Sequence, residues 1–79
     1  GEEARLWEAL REWRLEQAKK RGKPAYTVFG DTTLAQIVQE RPGDEEALLA
    51  VKGIGPAKLA AYGQAILEIV RKTAPGAPS

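Results

Sequence analysis

The chain contains no cysteine and no histidine. Without cysteine there is neither a disulfide framework nor a thiolate metal site. Without histidine the commonest general base and the commonest metal ligand are both gone. A strong charge of one sign is lacking too: twelve basic residues face eleven acidic ones, for a formal net charge of +1. A domain that grips nucleic acid through charge alone carries a large basic excess. Any DNA binding here must come from a local patch and is expected to be weak. No apolar run approaches the roughly 20 residues of a membrane span, and nothing reads as a signal peptide. The expectation is a cytoplasmic protein with no membrane partner.

What is present is an ordinary globular balance, 43% hydrophobic and 29% charged over 79 residues. That length supports one small domain of marginal stability and is too short for two.

The hydrophobic periodicity is helical. From Ala4 to Arg21, Leu6, Leu10 and Trp13 recur at helical spacing, with Trp7, Ala9 and Ala18 flanking them. Gln17 interrupts this stripe and Leu15 lies on the opposite face. The basic cluster Lys19, Lys20, Arg21 and Lys23 suits a helix C-terminus, and Gly22 is a plausible stop. Lys23 to Gly30 reads as an extended or single-turn link that plugs Val28 and Phe29 into the core, because no second strand-like run exists to pair with it. Asp31 is expected to cap a helix reaching about Glu40, with Leu34, Ile37 and Val38 inward. A short helix follows from Asp44 to about Val51, with Leu48, Leu49 and Val51 as inward candidates. Gly53 is placed as its left-handed cap and Pro56 as the first residue of the next helix. That last helix keeps one phase to Lys72 unless Gly63 divides it. Ala74 to Ser79 reads as a disordered tail. Residues 1–73 are thus expected to form one all-α domain, a compact orthogonal bundle of four to five helices.

Three groups of residues carry candidate chemistry. In Lys52-Gly53-Ile54-Gly55, backbone N–H groups near Gly55 and the following helix start could bind a phosphate oxygen. The structural alternative is a compact interhelical turn with Ile54 buried. Lys23, Lys52 and Lys58 could line one phosphate-binding surface if the connector folds toward that turn, with salt-dependent binding. Their alternative is a solvated face, which is also the reading for Lys19 and Lys20. Tyr26 is the sharpest single candidate, since an exposed tyrosine among lysines can stack on an unpaired base. Its alternative is a half-buried packing role. Against these stand the acids. Asp44, Glu45 and Glu46 complement a helix dipole, or form an acidic face that docks on a basic surface. Outward-facing Leu15 adds to that second possibility. No nucleophile–base pair suggests an enzyme, and no cofactor or metal site is indicated.

Taken in order, the Lys-Pro-Ala-Tyr-Thr-Val-Phe connector, Asp-Thr-Thr-Leu, Leu-Leu-Ala-Val-Lys-Gly-Ile-Gly-Pro-Ala-Lys-Leu and Tyr-Gly resemble the HRDC (helicase and RNase D C-terminal) domain, most nearly that of bacterial RecQ-family DNA helicases. The resemblance spans about residues 4 to 72. It implies a helical, non-catalytic accessory domain, related in fold to SAM-like bundles. Such a domain modulates the parent enzyme's structure-specific binding to single-stranded or branched DNA, and with it DNA unwinding. It also implies a DNA-contacting aromatic at Tyr26 in some members, and contact with the parent protein in others. The expected DNA-binding residues are Lys23, Tyr26, Lys52, Gly53, Gly55 and Lys58. Those expected to meet the helicase core or neighbouring domains are Leu15, Asp44, Glu45 and Glu46. As a DNA partner, the protein is expected to associate with the nucleoid.

Overall fold

The computed structural model describes residues 1–73. It contains α1 (Glu2–Arg21), a single 3₁₀ turn (Ala25–Thr27), α2 (Asp31–Glu40), α3 (Glu45–Leu49) and α4 (Pro56–Lys72). The expected tail at 74–79 lies outside the described residues. α1 packs on α2, on the 3₁₀ turn and on α4, and α3 packs on α4. The core sits where these contacts converge, with Leu6, Leu10, Phe29, Leu34, Ile37, Leu48 and Ile66 all buried.

α1 differs from its expected stripe in one informative place. Its buried residues are Leu6, Leu10, Arg14 and Ala18, one every fourth position. An arginine therefore occupies the innermost row, while Trp7 and Trp13 pack half-buried beside the core. The helix ends where expected. Gly22 is left-handed at φ 65°, and the N–H groups of Gly22 and Lys23 donate back to Lys19 and Ala18 at 3.2 and 3.1 Å. These bonds satisfy carbonyls that the helix end would otherwise leave open.

The connector is a single turn, with Val28 and Phe29 fully buried as expected. Asp31 is not the cap of α2. Gly30 occupies that position without a side-chain bond, and Asp31 is the first helical residue. Its carboxylate is turned instead toward Arg14. α2 closes on Arg41, left-handed at φ 46°, and the Arg41 Nη1 donates to the Thr73 carbonyl at 3.2 Å. A guanidinium thus caps the far end of α4, where cations favour the helix dipole.

α3 begins one residue later than expected, because Asp44 is its cap. The Asp44 Oδ1 accepts the Ala47 N–H at 2.8 Å. Asp44→Ala is therefore expected to cost about 1 kcal/mol of stability, read as a shift of the urea midpoint at unchanged slope. The helix closes on Ala50 rather than Gly53. Leu49, expected inward, is 42% exposed, while Leu48 and Val51 take the core positions. In α4, Gly63 does not divide the helix. It is buried, and a Cβ there would stand 2.9 Å from Leu59 Cδ1 and 3.9 Å from Leu48 Cδ2. The small residue leaves room for the Leu59 side chain of the same helix, while α3 is met at ordinary contact distance.

Candidate nucleic-acid interface

Tyr26 stands on the 3₁₀ turn, and that turn is held at both ends. Upstream it is tied to α1 by the Gly22 and Lys23 bonds. Within it, Thr27 N and Val28 N donate to the carbonyls of Pro24 and Ala25 at 3.0 and 3.1 Å, and the Thr27 hydroxyl donates to Pro24 O at 2.7 Å. Downstream, Val28 and Phe29 anchor it in the core. Tyr26 itself is 70% exposed, the most open of the large hydrophobic side chains. Its ring presents a face to solvent from a backbone with little freedom. Lys23, three residues earlier, is also exposed.

The glycine turn sits between α3 and α4 and is bonded to α2. The Thr33 hydroxyl donates to Lys52 O at 2.9 Å, and Lys52 N donates to Gln36 Oε1 at 3.3 Å. Both bonds engage backbone atoms, so the Lys52 side chain stays exposed. The two glycines differ in kind. Gly53 has φ +96°, and a Cβ there would fall 2.1 Å from Thr33 Oγ1. Its glycine is required by packing and backbone together. Gly55, the N-cap of α4, has ordinary extended geometry at φ −99°. A Cβ there would meet nothing. Nothing within the fold requires glycine at 55, and Ile54 beside it is buried, as the structural alternative expected.

α1 and α4 meet through side chains that sequence reasoning did not pair. Arg21 donates to the Tyr62 hydroxyl. The Trp13 ring meets Tyr62 edge-on at 5.5 Å. Lys58, half-buried, lies one turn before Tyr62 and so on the same face of α4. The basic end of α1 and the opening turns of α4 therefore share a side of the domain. Among the described residues no hydrogen bond or ion pair joins Lys23 or Tyr26 to the glycine turn itself.

The acidic residues separate into roles. Asp44 is the α3 cap, and the Glu45 Oε2 accepts from Gln64 Nε2 at 2.7 Å. Glu46 remains exposed, with Leu49 exposed one turn on. Leu15 is 49% exposed on the outer face of α1, as expected. A cleft of 440 Å³ between the α2–α3 connector and the end of α4 is lined by Arg41, Pro42, Leu67 and Arg71, and by none of the sequence-selected residues. Among the described residues no helix is long and apolar enough to cross a membrane.

Comparison with known proteins agrees with this architecture. The HRDC domain family model matches residues 3–70. The ATP-dependent DNA helicase UvrD2 of Mycobacterium tuberculosis is 48% identical over 62 residues, which is 78% of this chain and 9% of that protein. The ATP-dependent DNA helicase RecQ of Bacillus subtilis is 38% identical over 66 residues, 84% of this chain and 11% of that protein. The chain thus spans only about a tenth of the length of these curated relatives. The solved HRDC domain 3 of D. radiodurans RecQ superposes with a TM-score of 0.88 at 36% identity, covering 96% of this chain and all of that one. The fold is thus shared with a known unit, and the chain belongs to the HRDC domain family, small helicase accessory domains that are not themselves catalytic.

Proposed function

We propose that this domain modulates the DNA binding and unwinding of a RecQ-type helicase by contacting single-stranded or branched DNA directly and weakly. The observation that carries the reading is the exposure of Tyr26 on a braced turn. Val28 and Phe29 already supply the anchor, so the open ring is not needed for packing. Lys23 beside it, and Lys52 and Lys58 flanking the glycine turn, supply the phosphate contacts. Gly53 shapes that turn, and Gly55 leaves room for a phosphate to approach the α4 N-terminus. Such a domain works beside the chromosome, with the helicase core and neighbouring domains of its own chain as its other partners.

Tyr26→Ala is expected to weaken binding of a short oligothymidylate by at least about fivefold, since each stacked base is worth about 1–3 kcal/mol. Lys19→Ala should have a smaller effect. Wild-type affinity should fall steeply between low and moderate salt, with a slope of about −0.7 per phosphate neutralised on a single strand. A fluorescence titration at two ionic strengths reads both quantities. Equal affinities of the wild type and Tyr26→Ala would sink the stacking role.

A second reading rests on Leu49. An aliphatic side chain left 42% exposed beside Glu46 and near Asp44 and Glu45 fits docking on a basic surface with an apolar socket. Leu15 offers a further apolar contact. In this reading the domain restrains its parent by competing with DNA. Glu46→Lys should then raise the DNA affinity of the full-length enzyme by several fold. In the isolated domain it should produce only the small gain of one surface charge change. Equal shifts in both contexts would eliminate docking.

A further inference from the structure

We propose that Arg14 is a positioning residue of the single-strand site, acting on Tyr26 through the connector without touching DNA. The inference rests on the reading of Tyr26 as the stacking residue.

Arg14 lies in the innermost row of α1, only 9% exposed. Its Nη1 donates to the Phe29 carbonyl at 3.2 Å and meets Asp31 Oδ1 at 2.9 Å. Its guanidinium carbon also stands 5.8 Å from the centre of the Phe29 ring. One side chain of α1 therefore holds the two residues through which the connector passes into α2. The upstream end of the same connector is held by the helix-ending bonds at Gly22 and Lys23. Arg14 supplies the matching constraint downstream.

Stability alone does not account for an arginine at this position. A leucine would continue the row of Leu6 and Leu10 without desolvating a charge, at the cost of leaving the Phe29 carbonyl without this donor. The Arg14 Nε is buried with no protein acceptor, which is a cost. Its ionic partner is 82% exposed, and a carboxylate so open to water contributes little to stability. What the arrangement supplies is geometry, because one charged nitrogen, Nη1, meets both the Phe29 carbonyl and the Asp31 carboxylate and so ties the two acceptors to one point on α1. A base-stacking tyrosine needs that property, since a ring held in place loses less freedom on binding. The pairing has a second effect: it directs the only carboxylate of the connector region toward a cation.

The two effects of Asp31 oppose each other in a binding experiment. Removing a carboxylate near the site should tighten DNA binding if charge is all that matters. Loosening the connector should weaken it. Asp31→Asn therefore separates the two by sign, and because the side chain is exposed the variant is expected to fold. The measurement is a double-mutant cycle on the 79-residue chain with a labelled oligothymidylate of about 12 nucleotides, within the usual site size. All variants are compared below their unfolding transitions.

Asp31→Asn is expected to weaken binding about threefold in the Tyr26 background, and Arg14→Met about fivefold or more. In the Tyr26→Ala background both losses should vanish, and Asp31→Asn should become neutral or slightly favourable. The Tyr26 amide should show lower order by NMR in free Asp31→Asn, with the core amides unchanged. If Asp31→Asn tightens binding in both backgrounds, or if its loss persists without Tyr26, the positioning role is overturned while the stacking reading stands. If Tyr26→Ala alone changes nothing, the stacking reading itself fails, and that result is visible before Asp31 or Arg14 is altered.

Discussion

Gly53→Ala is expected to destabilise the domain by about 3–5 kcal/mol, the largest loss of any glycine-to-alanine change in the described chain. Two independent terms act at this residue. The backbone has φ +96°, where an L side chain is strained. The added Cβ would also fall 2.1 Å from Thr33 Oγ1, so α2 or the turn must move. Movement would break the 2.9 Å bond from Thr33 to the Lys52 carbonyl. A domain of this length has about 4–12 kcal/mol in total, so a large unfolded fraction is expected near 37 °C. The neighbouring glycine is the control. Gly55→Ala should lie within about 0.5 kcal/mol of wild type, because a Cβ there meets nothing. Thr33→Ala should partly rescue Gly53→Ala while being mildly destabilising by itself. Urea denaturation of the wild type, the three single variants and the Thr33→Ala/Gly53→Ala double variant measures all of this. A neutral Gly53→Ala would mean that the turn is free to move away from α2, contrary to the packing described.

Gly53 also marks how far the sequence could be read. A glycine between two helices, followed by proline, is legible as a turn. That it is pressed against Thr33, nineteen positions before Lys52 in a different helix, is a tertiary fact with no local signal. The same division holds elsewhere. The helices, their order and the anchoring of Val28 and Phe29 follow from apolar spacing and from the lack of a strand partner. Leu49 defied its expected burial because α3 has only five residues, Glu45–Leu49. A helix that short buries one row, and Leu48 fills it.

Arg14 was the more instructive omission. Leu6, Leu10 and Ala18 already define a four-residue stripe, and Arg14 completes it. Hydrophobic spacing gives no weight to the one polar member of the row and points to Trp13 as the inward residue instead. The signal in the sequence that points to Arg14 is the gap itself, a polar residue at the one position that completes the row. Among the site candidates, the exposure of Tyr26 was foreseeable from redundancy, since two buried neighbours suffice to anchor one turn. The Arg21–Tyr62 contact was not, because neither residue has a local reason to meet the other.

Phe29→Ala is the second large effect, and it connects the core to the candidate site. The Phe29 ring is 1% exposed and stacks on Trp13 at a centroid distance of 6.3 Å and an interplanar angle of 22°. Trp13 in turn meets Tyr62 on α4, so Phe29 ends an aromatic row running from the connector to the last helix. Truncation to alanine is expected to cost about 3–5 kcal/mol, combining lost burial with a cavity between α1 and α2. Phe29→Leu keeps most of the volume and should cost about 1–2 kcal/mol. Tryptophan fluorescence during urea unfolding reports both variants, because Trp13 lines the affected space. The local consequence should exceed the global one. With the ring gone, Arg14 still holds the Phe29 carbonyl, but the segment between Tyr26 and Asp31 has only Val28 as an apolar anchor. Amide hydrogen exchange over Ala25 to Gly30 should therefore accelerate in Phe29→Ala beyond what its lower stability requires, while the amides of α3 and α4 slow or quicken only with the global free energy. Uniform acceleration across all four helices would instead show that connector and bundle open as one unit, leaving Phe29 as an ordinary core residue with no separate hold on the turn that carries Tyr26.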